Sequence, residues 1–304
     1  KENLQTRRSK GFGIVAEISS ILHEVPFGKY RVEAGLKLRN AMFLNGILTN
    51  SEVWHGINDE DISKLEDVDE CLLRKILDAH SKTPKEALYL ETGASPIRFI
   101  IKSRRLLYLH HILKRKESEL INRVYYAQKR QPVKGDWVNL IQDDLDCLSI
   151  KLEENEIQKM SKQKFKKHVK VKIRNTALKY LNQMKEKHSK VKNIKYDKLE
   201  LQQYMADSKF TSNNIKLLFK LRTRMVQVKA NFKNGLDSLL CDLCKVEEES
   251  QPHLLVCEVL LNQCEALYND ESVEYDDIFS NKESQLKAVK LFEKVLEVRD
   301  NLLL

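Results

Sequence analysis

Glycine and proline are scarce in this chain, at nine and five residues out of 304. A β-sandwich or barrel needs a turn roughly every eight to twelve residues, so this scarcity argues against both. Cysteine is sparse too, with six residues placed as Cys71, Cys147 and a cluster from Cys241 to Cys264. That is not the dense framework of a small disulfide-stapled secreted domain. There is no signal-like leader and no apolar run long enough to span a bilayer. The expected setting is therefore reducing and intracellular, in nucleus or cytoplasm, with no membrane partner. The first residue is Lys1 rather than Met, which suggests a segment of a longer polypeptide or a chain that lost its start.

Charge is abundant, and it is unevenly placed. Residues 1–150 carry 24 Lys+Arg against 21 Asp+Glu, residues 151–233 carry 23 against 7, and residues 234–304 carry 6 against 16. A formal net charge of +9 thus conceals a segment at +16 followed by one at −10.

Apolar residues recur at helical spacing through most of the chain. Residues 10–24 read as one helix, closed by Pro26 and Gly28, and a second runs from about Tyr30 to Trp54. Asn58 or Asp59 can cap a third through Leu77, and Pro84 and Pro96 each open another. Two shorter helices, 119–129 and 136–148, flank a turn at Pro132–Gly135. Runs of alternating β-branched residues are missing. The expected fold is mainly α: a multi-helix bundle, then a small Cys/His module, then a C-terminal helix.

From Ser161 to Lys192 a stripe of Phe165, Val169, Ile173, Ala177, Leu181 and Met184 is surrounded by twelve Lys/Arg and one acid, Glu186. An ordinary solvated helix face mixes both signs, because like charges at i,i+4 repel. Clustered cations of this kind neutralise phosphates and release counterions, binding nucleic acid without sequence preference. Lys162, Lys166, Lys167, Lys170 and Arg174 are the candidate contacts here. Lys216, Lys220, Arg222, Arg224 and Lys229 form a second candidate patch on a helix whose core side is Ile215, Leu217, Leu218 and Leu221.

The most specific pattern is Cys241-x2-Cys244-x8-His253-x3-Cys257. Two cysteines three positions apart can turn their sulfurs to one point, and His253 and Cys257 share a helix face, so four ligands can close a tetrahedron around Zn²⁺. Pro252 suits the first turn of that helix. Cys264 returns to nearly the same face, but two turns place it about 10 Å away, so it is core or an alternate ligand. Glu247, Glu248 and Glu249 lie inside the ligand loop, and three thiolates with one imidazole leave a zinc site at about −1. Such a module is expected to hold the acidic C-terminal lobe in shape more than to touch phosphate.

Taken in order, several short motifs resemble the C-terminal region of a non-LTR (LINE-type) retrotransposon reverse transcriptase. They are Lys10-Gly11-Phe12-Gly13-Ile14-Val15, then Ile47-Leu48 to Asn50-Ser51-Glu52-Val53-Trp54, then Leu65-Glu66 to Asp69 and Leu72-Leu73-Arg74-Lys75-Ile76-Leu77. Pro84-Lys85-Glu86-Ala87-Leu88-Tyr89-Leu90-Glu91, Lys134-Gly135-Asp136-Trp137, Leu221-Arg222-Thr223-Arg224 and the Cys/Cys/His/Cys cluster follow. The resemblance implies a thumb-like helical region over 1–80 and a helical linker over 81–233, basic from 151. A zinc knuckle over 234–265 and an acidic helical tail over 266–304 complete it. It further implies that a catalytic palm precedes this segment, which would grip template RNA and target DNA. Two departures stand out: three residues, not four, separate His253 from Cys257, and Asp242 and Lys245 replace a usual Pro and Gly. Lys245 tolerates a positive φ less well than glycine.

No polymerase or nuclease site is legible in the segment itself. Tyr275-Asp276-Asp277 lacks the residue that separates aromatic and acids in a palm motif, and Asp143-Asp144 falls in a helical pattern. Neighbouring His110 and His111 point about 100° apart and have no ligand-type partner at suitable spacing. Gly11-x-Gly13 lacks the strand and third glycine of a dinucleotide site. Trp54 and Trp137 read as core anchors, although an exposed Trp137 could stack a base. A different class of function fits the same features: a zinc-stabilised helical scaffold whose basic face docks an acidic protein.

Overall fold

Caps and prolines decide where the helices start, and the computed structural model describes them for residues 2–232, 238–262 and 282–304. In order they are α1 (Glu2–His23), α2 (Lys29–Leu38), α3 (Leu44–Ile47), α4 (Asp59–Leu77), α5 (Lys85–Thr92), α6 (Ile97–Leu113) and α7 (Leu120–Arg130). There follow α8 (Trp137–Cys147), α9 (Glu154–Lys159), α10 (Lys162–Lys185), α11 (Gln203–Ala206) and α12 (Ser212–Arg222). Helix α13 begins at 258 and is described to 262, and α14 spans Lys282–Leu303. Among the described residues, β pairing is limited to an isolated bridge between Leu240 and Glu248. The chain is mainly α, as its periodicity predicts.

Asn58 caps α4 by accepting from the Asp61 N–H at 2.8 Å, and Asp59, Glu60 and Asp61 complement the positive helix end. Pro84 and Pro96 stand immediately before α5 and α6. Two boundaries differ from expectation. Helix α1 starts well before residue 10, because Glu2, Leu4, Gln5, Arg7 and Arg8 are good helix formers. The helix expected from Tyr30 to Trp54 is interrupted instead: a π-turn at Arg39–Phe43 separates α2 from α3, Asn50 adopts φ 58°, and a 3₁₀ turn covers Ser51–Val53. Asparagine enters the left-handed region at low cost, which is how the chain leaves α3.

Helix α6 is central, packed against α4, α7, α8, α9 and α10. One hydrophobic core takes in Ile18, Leu72, Leu88, Ile97, Phe165 and Phe219, and so runs across the expected division at residues 80 and 81 without a break. Gly11 permits a close approach of α1 to its neighbours, since a Cβ there would come within 3.1 Å of Val68 and 3.3 Å of Ile47. At Gly93, φ is +67° and an added Cβ would lie 2.3 Å from the Glu200 carbonyl carbon. Only glycine lets the 199–202 segment cross the end of α5 there.

Buried carboxylates cross-link this core. Asp69 takes a bidentate pair from Arg39 at 2.6 and 2.5 Å, and Asp144 accepts from Arg105 at 2.7 and 2.9 Å and from Lys102 at 2.9 Å. Glu91 accepts from Arg222, Tyr196 and Tyr204. All three acids are fully buried.

A second, smaller core gathers Leu221, Val226, Val228, Cys241, Leu254, Cys257, Leu260, Ala288, Phe292 and Val295. It joins the end of α12, the cysteine module and α14. Arg299 of α14 donates to buried Glu249 at 2.6 Å, fastening the last helix to the module. Cys264 and Tyr275-Asp276-Asp277 lie outside the described residues.

Candidate metal centre and basic face

The module is built on a tight hairpin. The Cys241 N–H donates to the Glu247 carbonyl at 2.7 Å, and the Glu249 N–H to the Leu239 carbonyl at 2.9 Å. Within the turn the Lys245 N–H reaches the Cys241 carbonyl at 2.9 Å, and Lys245 has φ 60°. The position where the resemblance leads one to expect glycine does require a left-handed residue, at a cost of about 1–2 kcal/mol for lysine. Backbone N–H groups of Glu247 and Val246 point at the Cys244 sulfur and hold its thiol down to about 6. That is the setting of a thiolate ligand. Burial pushes Cys257 the other way, up to about 11.

His253 and Cys257 do not share one helix face. His253 opens a 3₁₀ turn, His253–Leu255, Val256 leaves it with φ −122°, and α13 starts only at 258. Three intervening residues cannot keep the 3.6-residue period across that change of helix type, so Cys257 enters from the start of α13 instead. The ligand atoms still converge. One atom from each of Cys241, Cys244, His253 and Cys257 lies within 4.8 Å of every other. Cys241 Sγ is 4.0 Å from Cys257 Sγ, and Cys244 Sγ is 3.4 Å from His253 Nε2. A tetrahedron with bonds of about 2.3 Å to sulfur and 2.0 Å to nitrogen has edges of about 3.8 and 3.5 Å. The four residues therefore fit a tetrahedral metal ion.

Glu247 completes the arrangement, its Oε2 lying 3.1 Å from His253 Nδ1. A carboxylate on the far nitrogen orients the ring and leaves Nε2 as the ligand atom. Sequence alone did not single out this contact, because the hairpin and not a spacing rule brings residues 247 and 253 together.

The basic segment divides into exposed and committed cations. Along α10, Phe165, Val169, Ile173, Ala177 and Leu181 are buried, the four larger ones each contributing about 1.5–3 kcal/mol by leaving water. Lys185 occupies the last buried position of that row, where Met184 was expected, with its ammonium on the Lys192 carbonyl at 2.7 Å. Lys162, Lys166, Lys167 and Lys170 are exposed, and Arg174 is partly exposed beside Glu200 at 3.6 Å.

The second patch is different. Arg222 is 3% exposed and its Nε donates to Glu91 at 2.7 Å, its guanidinium lying over Tyr196 and Tyr204, so it does not face a phosphate in solvent. Lys216 pairs with Asp78, and burial lowers the Lys220 pKa. Arg224 is partly buried, at φ 49° in the left-handed turn that ends α12. Solvent therefore meets the α10 row far more than the α12 patch.

His110 and His111 separate as their spacing predicts: His110 is buried with Nε2 3.0 Å from the Met160 carbonyl, while His111 is exposed. His188 sits 3.2 Å from buried Glu86. Trp54 and Trp137 are half-buried, and Trp137 donates to the Glu52 carbonyl at 2.7 Å. Among the described residues no helix is long and apolar enough to cross a membrane.

No protein-family model matches the chain, and no curated protein or solved structure matches it either.

Proposed function

We propose that this chain is a nucleic-acid-binding, non-catalytic region whose Cys/Cys/His/Cys site holds zinc as a structural ion. The observation that carries the reading is the exposed face of α10, where Lys162, Lys166, Lys167 and Lys170 stand with no acid of that helix among them. A one-signed row on a rigid helix is suited to phosphates and poorly suited to solvent alone. The order of the sequence motifs supports a finer statement. The chain would be the C-terminal portion of a non-LTR retrotransposon reverse transcriptase, holding element RNA and target DNA for a palm that precedes it in the parent polyprotein.

Zinc is preferred on ligand chemistry, since three sulfurs and one imidazole nitrogen at tetrahedral spacing suit it and not the oxygen-seeking cations. The bound ion supplies a cross-link between hairpin and helix. Cys241 and Cys257 belong to the second core, His253 is oriented by Glu247, and Arg299 ties α14 to the same unit. The module's function in this reading is to set the shape of the acidic lobe beside the basic helix.

A salt titration of binding to labelled RNA and DNA tests the electrostatic part. Affinity should fall linearly on a log–log plot, with a slope of about −0.7 per phosphate contact for single strands and −0.9 for duplex. A flat response would remove nucleic acid as the partner.

A further inference from the structure

A groove of about 750 Å³ opens at the beginning of α10, bounded by α6 and the turn after α3. Its lining includes Arg104, Tyr108, His111, Lys114 and Lys162, with Glu52 the single acid, an excess of two positive charges. The cations differ in their commitments. Arg104 donates to the Leu48 carbonyl and to Asn45, whereas Lys114 and Lys162 are exposed and form no ion pair among the described residues. The groove therefore has two free ammonium groups at its rim. Two of its lining residues form an aromatic pair: the Tyr108 and His111 rings stack at 5.9 Å and 14°, with Trp137 edge-on to Tyr108 at 5.8 Å. His111 is exposed, and Arg115 donates to its Nε2 at 3.3 Å.

We infer that this groove takes one unpaired nucleotide of a single-stranded nucleic acid, its base against the Tyr108–His111 aromatic pair and its phosphates at Lys114 and Lys162. This rests on the nucleic-acid reading above and adds the strand state and the contact residues. A flat π-surface flanked by free cations is how sequence-tolerant single-strand sites are built, because every base has a π-face and every nucleotide a phosphate. A base held in a duplex cannot expose that face. The volume is in the range of sites that enclose small organic ligands of nucleotide size. Lys162, Lys166 and Lys170 lie at i,i+4 spacing, about 6 Å apart along α10, so the rim of the groove continues as the exposed lysine row. The strand is thus led from the groove onto the helix.

The test compares a single-stranded oligodeoxythymidine carrying one 2-aminopurine with a blunt hairpin duplex, on the full chain and on His111→Ala, Lys114→Glu and Lys166→Glu/Lys170→Glu. All four positions are exposed, and circular dichroism verifies folding. The 2-aminopurine fluorescence should be quenched on binding to the unaltered chain. His111→Ala should abolish the quench and weaken the single strand by about tenfold while leaving the duplex within about twofold. Lys114→Glu should weaken the single strand without removing the quench, and the α10 pair should weaken both ligands. If His111→Ala and Lys114→Glu leave single-strand affinity and quench unchanged while the α10 pair weakens binding, the groove is not the site and the broader reading stands. Absence of binding to either ligand by the unaltered chain overturns both.

Discussion

Arg222 donates from Nε to Glu91 Oε1 at 2.7 Å across 131 residues of sequence, in a pocket closed by Tyr196 and Tyr204. Both tyrosine hydroxyls donate to the same carboxylate, at 2.5 and 2.8 Å. Burial opposes the charge on Arg222, but Glu91 and the two ring hydroxyls outweigh it and hold the guanidinium pKa above its ordinary value. The pair ties the end of α5 to the end of α12, just where the first core gives way to the second.

Removing one partner of this pair should be costly. Arg222→Met or Glu91→Leu alone leaves a buried charge uncompensated, with an expected loss of about 3–5 kcal/mol in urea unfolding. The double variant should lose less than the sum, since no charge is then stranded. Additive losses in the cycle would show that the two residues do not act as a pair.

Charge reversal separates the two basic patches. Lys166→Glu with Lys170→Glu should lower nucleic-acid affinity by at least tenfold at low salt and reduce the salt slope by about 2, one for each lysine that no longer neutralises a phosphate. Lys216→Glu, whose ammonium pairs with Asp78, should change affinity by less than about threefold. Equal effects from both would disprove the assignment of the phosphate-binding face to α10.

Chelation should release the C-terminal lobe and spare the main core. Hydrogen exchange in the presence of a strong chelator is expected to accelerate over 238–262 and in α14, because Cys241 and Cys257 are buried in the core that α14 completes. Amides of α4 and α6 should keep their protection. Cys244→Ser should act in the same direction, and metal analysis of the purified chain should give one zinc.

Arg299 provides a separate handle on that lobe. Its bond to Glu249, an acid 1% exposed, is part of what fixes α14, so Arg299→Ala should cost about 1–3 kcal/mol in the stability of the lobe with the metal still bound. A variant with unchanged α14 protection would place the docking energy in Phe292 and Val295 alone.

Stability should also carry a pH signature from α4. Burial pushes the Glu70 carboxyl up to about 7, outweighing the attraction of Lys85 and Arg74. A folded-state pKa above the unfolded value near 4.5 means that this contribution is complete below pH 4.5 and is lost as pH rises through 7. Glu70→Gln should flatten that slope and raise stability at pH 8 by roughly 1–2 kcal/mol, allowing for solvent screening at a half-buried site. An unchanged slope in urea titrations across that range would exclude Glu70 as its source.

Most helical stretches, several of their starts and the four clustered Cys/His residues are local properties that the chain alone specifies. Asn58, Pro84 and Pro96 mark starts because capping and fixed φ act within a few residues. The Phe165 to Leu181 row follows from the i,i+4 period. Lys245 shows the same logic from the other side, since the turn's demand for a left-handed residue belongs to the ligand spacing.

The tertiary structure decided which charges face water. In sequence, Arg222 and Lys166 are alike, two cations on amphipathic helices. Yet one is buried on a glutamate 131 residues away and the other is exposed. The Glu247 contact to His253, the joining of α14 to the cysteine module and the groove between Tyr108 and Lys162 depend on the same kind of information. Helical periodicity reports a side chain's direction relative to its own axis, whereas its partner is set by how axes pack, and that packing is a property of the whole chain.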